Sequence, residues 1–105
     1  MSEAYFEKVK ESAVGDVIMT LKGGRNETLN KAAYLLGRHA HLAPSNIDLA
    51  IMELHTAAKS VGLTEPEIKA TIGSGFKRGG ENPKILENSD AMPYTVSEFD
   101  RLISR

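Results

Sequence analysis

An all-α domain of four to five helices, in small orthogonal or bundle-like packing, is the fold that this chain predicts. Three observations carry it. Apolar residues recur every three or four positions in successive segments, the spacing of an amphipathic helix face. Residues that start and stop helices fall between those segments. No apolar/polar alternation is long enough to support a sheet.

The elements follow in order. Phe6, Val9, Ala13, Val17 and Leu21 mark a first helix, which Gly15 weakens at its middle by about 1 kcal/mol relative to alanine, leaving room for a break. Gly23-Gly24 ends it. Asn26 or Thr28 offers a cap for a second helix, because a short polar side chain accepts the free N–H groups of the first turn. Its inner face is Leu29, Ala32, Ala33, Leu36, Gly37 and Ala40, mostly small, so a neighbouring helix can approach closely. Pro44-Ser45 restarts the chain, with Ser45 as cap and Asp48 favouring the positive helix start. Ile47, Ala50, Ile51, Leu54, Ala57, Ala58 and Val61 form the third stripe, and Gly62 stops it. Thr64-Glu65-Pro66-Glu67 reads as a capping box with proline in the first turn. The fourth helix then places Ile68, Ile72, Gly75 and Phe76 inward and ends at Gly79-Gly80 and Pro83. Residues 81–94 are polar with two prolines and read as a linker. Thr95-Val96-Ser97-Glu98 resembles a second capping box, opening a short helix with Val96, Phe99, Leu102 and Ile103 inward. The division is a helical domain over 1–83 and a linker plus short C-terminal helix over 84–105.

With 105 residues, the chain is long enough for one core. It has no cysteine, which excludes disulfides and thiolate zinc sites. No apolar run approaches the ~20 residues of a membrane-spanning helix, and no basic-then-apolar leader opens the chain; the expected location is cytoplasmic. The net charge of −1 argues against a strong nucleic-acid binder, but its distribution is uneven. Residues 22–38 carry Lys22, Arg25, Lys31 and Arg38 against Glu27 alone, a local excess of +3, while the rest of the chain is net acidic.

The catalytic constellations are weak. His39 and His41 point away from each other on a helix, and no His-x-x-x-His or Glu-x-x-His pair occurs, so no metal or other cofactor is expected. Asp48 and Glu53 share no face, which rejects a two-metal polymerase centre. Ser74 lies in Gly73-Ser74-Gly75 without a strand–turn–helix context, and no phosphate loop is present. More suggestive is Gly24-Arg25-Asn26 at a helix opening. Free N–H groups there attract phosphate, and Arg25 could grip it with two hydrogen bonds; equally, Asn26 could cap and Arg25 pair with a nearby acid. Lys77 and Arg78 suit the negative end of the fourth helix with or without a ligand. Tyr34, three residues from Lys31 and four from Arg38, is either a core residue or a ring beside the basic edge that could stack on a base.

Three stretches in order, Arg25-Asn26-x-x-Leu29-Asn30-x-Ala32-Ala33-x-x-Leu36-Gly37, then Ala57-Ala58-x-x-x-Gly62-Leu63, then Glu67-x-x-x-Thr71-Ile72-x-Ser74-Gly75-Phe76-x-x-Gly79 and Pro83, resemble the small helical domain of phage and plasmid primase-polymerases and primase-helicases. The resemblance covers about residues 5–83. It implies an accessory domain of DNA replication in a phage or mobile element, excised or free-standing, without catalysis of its own. The implied partners are single-stranded or template DNA and a primase-polymerase core or replicative helicase. Under this reading Arg25 and Asn26 hold a phosphate, while Lys31, Arg38, Lys77 and Arg78 add backbone contacts. The alternative is a protein-interaction module that docks the core or helicase through apolar helix faces and never touches DNA.

Overall fold

The computed structural model describes residues 2–20 and 22–84. Among them are four α-helices: α1 (Ser2–Ile18), α2 (Arg25–His39), α3 (Ile47–Ser60) and α4 (Glu65–Gly80). Short 3-10 turns join them at Lys22–Gly24, Ala40–Leu42 and Pro44–Asn46. No strand occurs among the described residues, so the fold is the small helical bundle that the sequence predicts. No helix among them is long and apolar enough to cross a membrane. The expected helix over 95–103 lies outside the described residues.

The predicted stripes build one core. Phe6 and Val17 of α1, Leu29 and Leu36 of α2, Leu54 of α3 and Ile68 of α4 are fully buried, with Ala32, Ala33, Ala50, Ala57 and Ala58 between them. The first helix runs unbroken through Gly15, around which there is open space, and it ends at Ile18, short of the glycine pair. Lys10 is buried. Its ammonium bridges Glu7 of the same helix and both carboxylate oxygens of Glu53 on α3, at 3.0 and 3.1 Å for the latter. The hydrogen bond to Glu7, and then that to Glu53, hold its pKa above the ordinary lysine value against the desolvating effect of burial.

The caps fall partly elsewhere than the sequence predicts. Thr64 caps α4 as expected, its Oγ1 accepting from the Glu67 N–H at 3.4 Å, with Pro66 in the first turn. Gly62 has a φ of 95°, the left-handed conformation that closes α3, and the Leu63 N–H reaches back to the Ala58 carbonyl. By contrast α2 begins at Arg25 behind Gly24, with no side-chain cap. Neither Asn26 nor Thr28 caps, because helical geometry already starts at Arg25 and places both inside the first turn. Ser45 does not cap α3 either: it lies in a 3-10 turn and donates to Asn46 Oδ1.

The chain order fixes the directions. Tyr5, near the start of α1, packs against His39 at the end of α2, with ring centroids 5.6 Å apart, so the two helices are antiparallel. Arg25, at the start of α2, reaches Val61 just beyond the end of α3, so α3 also runs back along α2. α4 then runs parallel to α2.

Candidate nucleic-acid interface

The most intimate contact in the molecule joins α2 to α4, and it is made by glycine. A Cβ on Gly79 would collide with the Tyr34 carbonyl oxygen, one on Gly37 with the Phe76 carbonyl oxygen, and one on Gly75 would sit 2.7 Å from the Asn30 carbonyl oxygen. Only residues without side chains permit this backbone-on-backbone approach. Contacts step along both helices together: Asn26 meets Thr71, Asn30 meets Gly75, Tyr34 meets Gly79. After Pro83 the Lys84 N–H donates to the Arg38 carbonyl at 2.7 Å, satisfying one carbonyl at the end of α2. The first and third of the three sequence stretches, about forty positions apart, therefore pack directly on each other.

This register separates the six predicted site residues into two groups. Arg25 and Asn26 sit at the start of α2 and are engaged within the fold. Arg25 Nη1 donates to the Val61 carbonyl at 2.6 Å and lies against Gly62, where a Cβ would come within 2.7 Å of it. Asn26 Nδ2 donates to Thr71 Oγ1 at 2.8 Å and to Glu67 Oε2 at 3.2 Å. Arg25 thus ties α2 to the end of α3, where a cation suits the negative helix terminus, and Asn26 ties α2 to α4. Asn26 is therefore not the cap that the sequence suggests.

Of the other four, Lys31 and Arg78 are brought together at one groove, whereas Arg38 and Lys77 lie outside its lining. An open groove of about 520 Å³ is lined by Asn30, Lys31, Tyr34 and Leu35 of α2 and by Arg78 of α4. Lys31 is exposed and makes a loose ion pair to Glu27 at 3.9 Å, the kind that contributes little at a surface. Arg38 lies over the Tyr34 ring, its guanidinium carbon 5.9 Å from the centroid. Its Nε is buried without a hydrogen-bond partner. Lys77 and Arg78 stand exposed in the last turn of α4. The half-buried Tyr34 is neither wholly core nor wholly free. Leu35 was not anticipated as part of the surface; its signal is an apolar residue one step off the stripe of Leu29, Ala32, Ala33 and Leu36, between cations.

Two histidines are engaged within the fold. His39 is buried, and its Nδ1 lies 2.7 Å from the Leu35 carbonyl; a carbonyl only accepts, so Nδ1 carries the hydrogen. Burial pushes its pKa below the ordinary histidine value, partly countered by that hydrogen bond. His55 Nε2 meets Glu65 Oε2 at 2.8 Å and Lys59 approaches Oε1 at 3.6 Å; these partners, His55 first, hold Glu65 below its ordinary pKa. Among the described residues no group of three or more histidines and carboxylates could hold a metal ion. What the groove offers is two cationic side chains, Lys31 and Arg78, beside an aromatic ring. Compared with known proteins, the chain matches no family model, no curated protein and no solved structure.

Proposed function

We propose that this chain is a DNA-engaging accessory domain of a replication primase, contacting template or primer phosphates without catalysis of its own. The observation that carries the reading is the convergence of Lys31 and Arg78, from the first and third of the three stretches, on one groove beside Tyr34. Arg38, in the last turn of α2, and Lys77, in the last turn of α4, lie outside the lining of that groove. Phosphates meet exposed cations there, whereas Arg25 already donates to a backbone carbonyl. The order and spacing of the primase-like motifs give the class of partner.

Titration of a labelled DNA single strand at several salt concentrations tests this. Lys31→Ala and Arg78→Ala are each expected to weaken binding and to reduce the salt slope by roughly 0.7–1, the effect of one lost phosphate contact. Equal slopes for wild type and both variants would remove the phosphate role. A second reading, docking onto a primase-polymerase core or helicase, is favoured by Leu49 and Met52, which project from one face of α3 at 60% and 63% exposure. Under that reading Leu49→Glu abolishes docking to such a purified core and leaves DNA titrations unchanged.

A further inference from the structure

We infer that the groove between α2 and α4 receives an unpaired nucleobase stacked on Tyr34, so that the domain selects single-stranded over double-stranded nucleic acid. This rests on the DNA-engaging reading and goes beyond phosphate contact.

Tyr34 borders the open groove, and the Arg38 guanidinium lies 5.9 Å from its centroid. That cation is well placed to hold the ring against α2, and it costs Arg38 a buried, unpartnered Nε. Below Tyr34 there is little room for adjustment, because its carbonyl is packed against Gly79 of α4. The ring therefore stands on a rigid backbone. Leu35 adds apolar surface beside it, and Lys31 and Arg78 approach the same space from different helices. A flat ring, an adjacent aliphatic group and two flanking cations match the parts of a nucleotide: an apolar base face and the phosphates on either side of it.

Charge favours a contribution from stacking. The whole chain is net −1, so electrostatic attraction alone is a weak source of affinity. The groove volume, about 520 Å³, lies in the range of sites that hold small molecules. In a duplex each base face is covered by its neighbours, so an aromatic side chain on a rigid helix cannot reach it. In a single strand the faces are free, and every base presents one, which makes the site tolerant of sequence.

The test uses the full chain and three probes of about 12 nucleotides: a thymidine single strand, a single strand of abasic residues with the same phosphates, and a duplex. Fluorescence anisotropy gives the affinities, and circular-dichroism melting checks each variant. The thymidine strand should bind roughly 5- to 150-fold more tightly than the abasic strand, the factor that one stacked base supplies, and more tightly than the duplex. Tyr34→Leu should lower thymidine-strand affinity to the abasic level while leaving abasic binding unchanged. Tyr34→Phe should retain affinity within about twofold, because the ring and not the hydroxyl stacks. If the abasic strand or the duplex binds as well as the thymidine strand, stacking is wrong and the phosphate reading survives. A thymidine preference unaffected by Tyr34→Leu also overturns the assignment to this ring. Should Tyr34→Leu fail to fold, the wild-type comparison of thymidine and abasic strands decides instead. Absence of binding to all three at low salt removes both this inference and the function it rests on.

Discussion

The two sides of the bundle are held together by opposite means. Where α1 meets α3, side chains do the packing: Phe6, Val17 and Leu54 are fully buried, and a lysine reaches across to Glu53. Where α2 meets α4, side chains are excluded and backbone lies on backbone at Gly37, Gly75 and Gly79. The first contact depends on filling volume and the second on the absence of volume. The two should therefore fail in opposite directions, one when residues shrink and the other when they grow.

The largest expected effect comes from shrinking the first side. Leu54→Ala should destabilise by about 2–5 kcal/mol, the cost of emptying a packed core site, read by chemical denaturation. An unchanged denaturation midpoint would mean that Leu54 is not the core residue its burial implies.

Growing the second side comes next. Gly79→Ala should destabilise by about 1–3 kcal/mol, since the added methyl meets the Tyr34 carbonyl and the helices must separate. The sign is the informative part, because helix propensity alone favours alanine by about 1 kcal/mol. Gly73→Ala is the control on the same helix: nothing lies within 4 Å of its Cβ position, so this change should stabilise by about 0.5–1 kcal/mol. Two variants of α4 that shifted stability in the same direction would break the comparison.

The tie between the two sides comes third. Arg25→Ala should cost about 1–3 kcal/mol by leaving the Val61 carbonyl without its charged donor, and Arg25→Lys should recover only part, because an ammonium lacks the planar fork. If Arg25→Ala melts like wild type yet loses DNA affinity, a phosphate role for Arg25 is restored.

The smallest effect is a pH dependence at the α1–α2 contact. Burial lowers the pKa of His39, so the folded state favours the neutral ring. Its contribution is present above the ordinary histidine value near 6.5 and is lost as pH falls through the lower folded value, where the unfolded chain binds the proton more readily. Melting temperatures measured from pH 7 down to about 5 should fall less steeply in His39→Gln than in wild type. Parallel curves would place the acid sensitivity elsewhere.

Much of this molecule was legible in the residues. The stripes of Leu29, Ala32, Ala33 and Leu36 and of Ile68 and Ile72 are buried as their spacing predicts. The turn at Gly62-Leu63-Thr64 was readable because a left-handed glycine and a threonine cap are each local devices. The small face of α2 announced a close neighbour without saying which. Ser45 and Asn26 do not cap as their residue types suggest, and the burial of Lys10 carries no sequence signal, for a common reason: their partners or surrounding conformation are not written in the adjacent residues.

Sequence by itself determined the all-helical class, the positions of the four described helices to within a turn, and which face of each turns inward. These follow from periodicity and from end effects that span a few residues. Only the tertiary structure decided that α4 is the neighbour of α2, that the two run parallel, and that Arg25 and Asn26 serve the fold while Lys31, Tyr34 and Arg78 share a groove. The hydrogen bonds of Arg25 to Val61 and of Asn26 to Thr71 join residues 36 and 45 positions apart. They depend on the register of one helix against another, which is set by where three glycines let two backbones touch.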